Sequence, residues 1–248
     1  VKLTCQEQPN KVLLDKCFSV DDPNKTYWIK DRYTLKEWNN DERMYKVRYP
    51  DDRYYKLDIT QNIYIDDGGF DVENWKDNET QKYDGFIRIE CNKFIMKKGD
   101  INVSGRGYYG KHGLGWNKKD KYGCYATGEY KFGNERLTTL YRGCGIHDSG
   151  YCGAGIIAIN CNEFISFKEG NVSARGTSRG SGGSIIIVCK SFKNYGTINA
   201  TADYEGPSNG RIAIYTDDIK AYGIITPTPY IGTYSDGLNI LKTNGFMG

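Results

Sequence analysis

The sequence predicts an all-β fold, a right-handed parallel β-helix, on three observations: one strand pattern recurs four times, its internal period is two, and no helical periodicity separates the copies. The copies are Gly85-Phe-Ile-Arg-Ile-Glu-Cys91, Gly155-Ile-Ile-Ala-Ile-Asn-Cys161, Gly183-Ser-Ile-Ile-Ile-Val-Cys189 and Gly210-Arg-Ile-Ala-Ile-Tyr-Thr216. The last two steps, Gly155 to Gly183 and Gly183 to Gly210, are 28 and 27 residues. A unit that short cannot bury its own apolar side and must stack on its neighbours. Within a unit, Ile87, Ile89 and Cys91 alternate with Phe86, Arg88 and Glu90, which is strand patterning. Equivalent residues of successive coils then form ladders about 4.8 Å apart.

Residues 1–54 do not follow the coil pattern. They are charged and aromatic, and are read as an N-terminal cap covering one end of the stack. Residues 55–248 are read as the β-helix. Tyr55-Lys-Leu-Asp-Ile59 and Asn62-Ile-Tyr-Ile65 resume period two as a coil preceding the first clear repeat. Each unit continues to a second glycine-led strand: Gly99-Asp-Ile-Asn-Val103, Gly170-Asn-Val-Ser-Ala174, Gly196-Thr-Ile-Asn-Ala200 and Gly223-Ile-Ile-Thr-Pro227.

Between the first and second copies the spacing rises to 70 residues, which places an insertion at about 106–152. Long loops on a rigid scaffold commonly carry function. Its Tyr108, Tyr109, Trp116 and Tyr125 offer flat faces of the kind that stack on sugar rings or on a partner, and form a candidate glycan or partner contact set. At the far end, Gly237-Leu-Asn-Ile-Leu241 reads as the start of a coil that is not completed. Its Leu238, Ile240 and Leu241 are candidate assembly residues, for head-to-tail self-association or for a further domain of a larger chain.

Five Asn-x-Ser/Thr sequences begin at Asn24, Asn78, Asn102, Asn171 and Asn199, more than the roughly two that chance would give. In the second strands, parity sets Asn102, Asn171 and Asn199 opposite the inward Ile101, Val172 and Ile198, where an outward asparagine can carry an N-glycan. Eight cysteines fit an oxidising compartment. Cys91, Cys161 and Cys189 share one inward ladder position and pack as small hydrophobes or bridge under strain. Cys5 with Cys17, and one bridge within Cys124, Cys144 and Cys152, are the disulfide candidates. The chain begins at Val1 and not at Met, which suits a mature secreted chain or one trimmed at its start. Together these features place the protein outside the cell or on its surface, through the secretory pathway.

A net charge of only +3, with acidic and basic residues interleaved, implies no nucleic-acid partner. There is no apolar run of about 18 residues to span a membrane as a helix. Gly176-Thr-Ser178-Arg-Gly180 lacks the strand-turn-helix setting of a nucleophile elbow, and Gly105-Arg-Gly-Tyr-Tyr-Gly110 lacks the helix that a dinucleotide loop needs. No metal or cofactor is implied.

The order of these segments, including Leu137-Thr-Thr-Leu-Tyr-Arg-Gly-Cys-Gly145, Gly153-Ala-Gly-Ile-Ile-Ala-Ile159, Gly180-Ser-Gly-Gly-Ser-Ile-Ile-Ile187 and Gly210-Arg-Ile-Ala-Ile-Tyr215, resembles the glycine-rich β-helix segments of large adhesin-like extracellular proteins of microbes and protists. The resemblance covers roughly residues 55–225 and implies a structural or adhesive role without catalytic residues. The expected function is therefore that of a rigid extracellular glycoprotein, an adhesin stalk or filament subunit. The alternative is a carbohydrate-binding or polysaccharide-degrading β-helix protein, with Asp203, Glu205, Lys190 and Arg211 as outward candidates along a groove.

Overall fold

The computed structural model describes residues 26–29, 32–35, 55–58, 62–72, 85–108, 133–145, 153–177, 179–203 and 208–243. They are mostly β, a sheet of parallel strands that does not close on itself. In chain order the strands are β1 (Thr26–Ile29), β2 (Arg32–Leu35), β3 (Tyr55–Asp58), β4 (Asn62–Val72), β5 (Phe86–Glu90), β6 (Lys93–Asn102), β7 (Ile156–Ser173), β8 (Ser184–Asn194), β9 (Thr197–Asn199), β10 (Arg211–Tyr215), β11 (Asp218–Ala221), β12 (Ile224–Thr226) and β13 (Tyr230–Gly232). A single helix, α1 (Tyr234–Thr243), follows them among the described residues.

The pairings fall into three series. In the first, β3, β5, the start of β7, the start of β8, β10 and β13 pair in turn. In the second, β1, the start of β4, the start of β6, the middle of β7, the end of β8 and β11 do so. The third runs β2, the end of β4, the end of β6, the end of β7, β9 and β12. Every one of these pairings is parallel. Each repeat unit thus contributes one rung to each of three series, one more strand than the two per unit expected from the sequence.

The inward ladders are those anticipated from period two. Ile157, Ile185 and Ile212 stand in register, as do Ile159, Ile187 and Ile214, and all are buried. Phe94, Phe164 and Phe192 stack with ring centroids 5.6 and 5.1 Å apart and planes within 9°. Burying one such side chain contributes about 1.5–3 kcal/mol, so three in contact anchor the second series. Cys161 lies opposite Cys189 in the same interior.

The glycine that opens each unit has a packing cause. A Cβ on Gly155 would lie 2.0 Å from the carbonyl oxygen of Gly85, and one on Gly183 or Gly210 would lie 1.9 Å from that of Gly155 or Gly183. These glycines stack backbone on backbone, and no side chain fits between them.

Two expectations are corrected. Residues 1–54 are not a cap throughout, because β1 and β2 lie within them and pair with β4 as an ordinary rung. The tail is helical and does not begin another coil. Thr233 Oγ1 accepts from the Asp236 N–H at 3.3 Å as an N-terminal cap, Asp236 sits in the first turn and Lys242 in the last. Tyr234, Leu238 and Leu241 recur at helical spacing, and Leu241 is 1% exposed.

That helix covers the outer face of the first series. Phe86, Ile156, Ala158, Ile186, Val188, Ala213 and Tyr215 form a second apolar cluster, with Leu137, Cys144 and Leu241 buried in it and Leu238 and Ile240 packed against it. The proposed assembly residues are accordingly used inside the chain. Part of the insertion, residues 133–145, lies over the same face: Tyr215 Oη donates to the Arg136 carbonyl at 2.5 Å, and Ser184 Oγ donates to the Tyr141 carbonyl at 2.6 Å.

Candidate functional site

Among the described residues, the outer side of the third series carries a cleft of about 420 Å³. Its walls come from three successive units: Asn102 and Ser104; Asn171, Ser173, Arg175, Gly176 and Thr177; Thr197, Asn199 and Asp203. Parallel register fixes their order. Asn102 lies opposite Ser173, which lies opposite Asn199, and Asn171 lies opposite Thr197. The alternating residues Ile101, Val172 and Ile198 are fully buried and hold the strands in place from the inside.

The polar groups are fixed by hydrogen bonds. Asn102 Oδ1 accepts from the Ser104 N–H at 2.9 Å, while Ser104 Oγ and Ser173 Oγ lie 2.8 Å apart. Asn199 Oδ1 accepts from the N–H and the hydroxyl of Thr201 at 2.9 and 2.8 Å. Beyond the strands the backbones keep stacking: Gly105 N–H donates to the Arg175 carbonyl and Gly176 N–H to that of Thr201, each at 3.0 Å. Arg175 Nη2 donates to Asp203 Oδ1 at 2.5 Å, so the two charged groups of the lining neutralise each other. A wall of amides and hydroxyls, each both donor and acceptor, suits a neutral, hydroxyl-rich ligand.

Two residues before Thr197 along the chain stands an outer aromatic ladder. Phe167, Tyr195 and Tyr222 stack with centroids 6.4 and 5.3 Å apart, and Tyr222 is 71% exposed. Tyr195 stacks on both neighbours; Phe167 and Tyr222 end the row, and Tyr222 is the most exposed of the three.

The cleft gathers Asn102, Asn171 and Asn199, named from the sequence as glycan acceptors. Asn24 and Asn78 lie outside the described residues. So do Tyr109, Trp116 and Tyr125 of the contact set, whereas Tyr108 is half-buried, bonded through its backbone to Gly143 and Gly153, and is not part of the cleft. Of the disulfide candidates, Cys144 is a free, buried thiol, and Cys5, Cys17, Cys124 and Cys152 lie outside the described residues. Burial pushes the Cys144 thiol up to about 11 despite the Ser181 hydroxyl beside it, and buried Cys161 is raised well above the usual range. Cys91, Cys161 and Cys189 are also free thiols.

The groove candidates are not brought together. Asp203 belongs to the cleft, Lys190 lies over the Tyr234 ring at 6.0 Å, Arg211 opens β10, and Glu205 is outside the described residues. Asp66 and Asp67, where the register shifts within β4, are paired with Lys97 and Lys98 at 2.9 Å. Among the described residues no cluster of His, Cys, Asp and Glu is placed to hold a metal, and no helix is long and apolar enough to cross a membrane.

Sequence reasoning missed Ser104, Ser173, Arg175, Thr177 and Thr197 as lining. A signal was present: Asn-Val-Ser or Asn-Ala-Thr recurs at the end of the second strand in three units, so outward polar side chains had to stack. No protein-family model matches this chain, and no curated protein and no solved structure matches it.

Proposed function

We propose that this chain is a right-handed parallel β-helix of the extracellular, adhesive kind, and that it binds a neutral carbohydrate in the third-series cleft without turning it over. The observation that carries this reading is the lining itself: amides and hydroxyls from three consecutive rungs, held in register at a spacing of about 4.8 Å. A ligand with hydroxyls along its length meets a matching row of donors and acceptors that need no rearrangement. The buried ladder of Ile101, Val172 and Ile198 beneath keeps that row preorganised.

Binding without reaction is favoured by the charges present. Glycoside cleavage by paired carboxylates needs two of them across the bond. The described lining contributes Asp203, whose carboxylate is already bonded to Arg175. The extracellular setting is supported by the excess of glycan-acceptor sequences.

Asn171 is the residue to test, since it lines the cleft on a strand whose neighbour Val172 carries the packing. Asn171→Ala should leave the melting temperature unchanged and weaken oligosaccharide binding about tenfold, the loss of one or two hydrogen bonds to ligand. A glycan array followed by calorimetry measures this. Failure of the wild-type chain to bind any neutral oligosaccharide, or equal binding by the variant, would contradict the assignment.

A further inference from the structure

The amides that would bind a free carbohydrate are themselves acceptors for a covalent one, and this inference rests on the reading of the cleft as a carbohydrate site. Asn199 is the acceptor whose geometry fits modification best. Both hydrogen bonds that Thr201 makes to it use Oδ1, which leaves Nδ2 as the end of the amide not held by a described residue. Asn102 differs, because its Nδ2 donates to Asp100 Oδ2 at 3.4 Å. Asn171 precedes a Ser173 that is 3% exposed and engaged with Ser104.

We propose that Asn199 carries an N-linked glycan that occupies the cleft, so that modification closes the site to free ligand. In the transfer, Asn199 Nδ2 attacks C1 of a glycosyl pyrophosphate donor. The N–C1 bond forms as the C1–O bond breaks, the pyrophosphate leaves with the electron pair, and the nitrogen gives up one proton. Oδ1 takes no part, so both bonds from Thr201 survive in the product.

The first sugar then starts inside the cleft. Asn199 stands two rungs from Asn102 through Ser173, about 10 Å at the usual strand spacing, with Asn171 on the strand between them. A sugar chain attached there samples the neighbouring amides at an effective concentration in the millimolar range, which a dilute free oligosaccharide does not reach. The same crowding means that one glycan fills the space that serves all three acceptors.

The test compares the full-length chain secreted by a eukaryotic host with the chain made in a host that does not add N-glycans. Both carry Asn24→Gln and Asn78→Gln to remove the acceptors elsewhere. Peptide mapping locates the glycan, and titration with the oligosaccharide best bound on a neutral glycan array reads the cleft. The expected result is a glycan on Asn199 and half-saturation at a concentration raised about tenfold or more over the unmodified chain. An unmodified Asn199 in the secreted chain, or equal binding by the Asn199-modified and unmodified chains, would overturn the inference and leave the cleft assignment standing. No binding by the unmodified chain would overturn both, and the glycan map would not rescue either.

Discussion

Glu163 shows how the outer surface of the stack is tied together one residue at a time. It accepts from Lys93 at 3.2 Å on the rung before it and from Lys193 at 3.1 Å on the rung after it. Partial burial pushes its carboxyl up, but the hydrogen bonds and charges of Lys193 and Lys93 outweigh that and hold it below the usual carboxylate value. A lowered folded-state value means that the unfolded chain binds a proton first as pH falls. The stabilisation is therefore complete above the ordinary carboxylate range and is lost as pH drops through the lowered value. Glu163→Gln should flatten the acid limb of a stability-versus-pH curve measured by urea unfolding, with little change at neutral pH, where exposed pairs count for little. An acid limb identical to that of the wild type would show that the two lysines do not hold this carboxylate.

At the scale of elements, the interior was legible and the exterior was not. Alternation in Ile87-Arg-Ile89 and Ile212-Ala-Ile214 marks which residues face inward, and the apolar residue three positions past each cysteine or threonine, Phe94, Phe164, Phe192 and Ile219, marks a second ladder. The outer face of the first series was harder to read. Ile185, Ile186, Ile187 and Val188 form an unbroken apolar run, the pattern of a strand buried on both faces, and that run was the available sign of a cover. The cover itself was misread, because Gly237-Leu-Asn-Ile-Leu241 satisfies a short strand pattern, while Tyr234, Leu238 and Leu241 satisfy a helical one. The tertiary partner decides between them, since Val188 and Tyr215 offer a face for a helix. Leu241→Ala should cost about 3 kcal/mol in denaturant unfolding, as for other buried leucines, without altering the state of association. A change in association with unchanged stability would return Leu241 to the surface role first expected of it.

For the molecule as a whole, the three series give the two sides of the stack different roles. Among the described residues, α1 and residues 133–145 lie over one face, and the third-series face carries the polar cleft, so the packing face and the cleft lie on different sides. At the far edge β11, β12 and β13 each pair with one strand among the described residues, and Ile219 and Ile231 continue inward ladders there while 42% and 45% exposed. The asparagines of the cleft stand out in the sequence, because Asn-x-Ser/Thr recurs at the end of the second strand. Their meeting with Arg175, Thr177 and Asp203 was not, since residues far apart in sequence come together only through register. The central claim is that this cleft recognises carbohydrate, and the most direct measurement is a titration followed by the side-chain amide resonances of the unmodified chain. With a neutral oligosaccharide, Asn102, Asn171 and Asn199 should shift together and saturate at one affinity, and the oligosaccharide should be recovered intact. Shifts confined to other surfaces, no shifts at all, or a cleaved oligosaccharide would contradict the account.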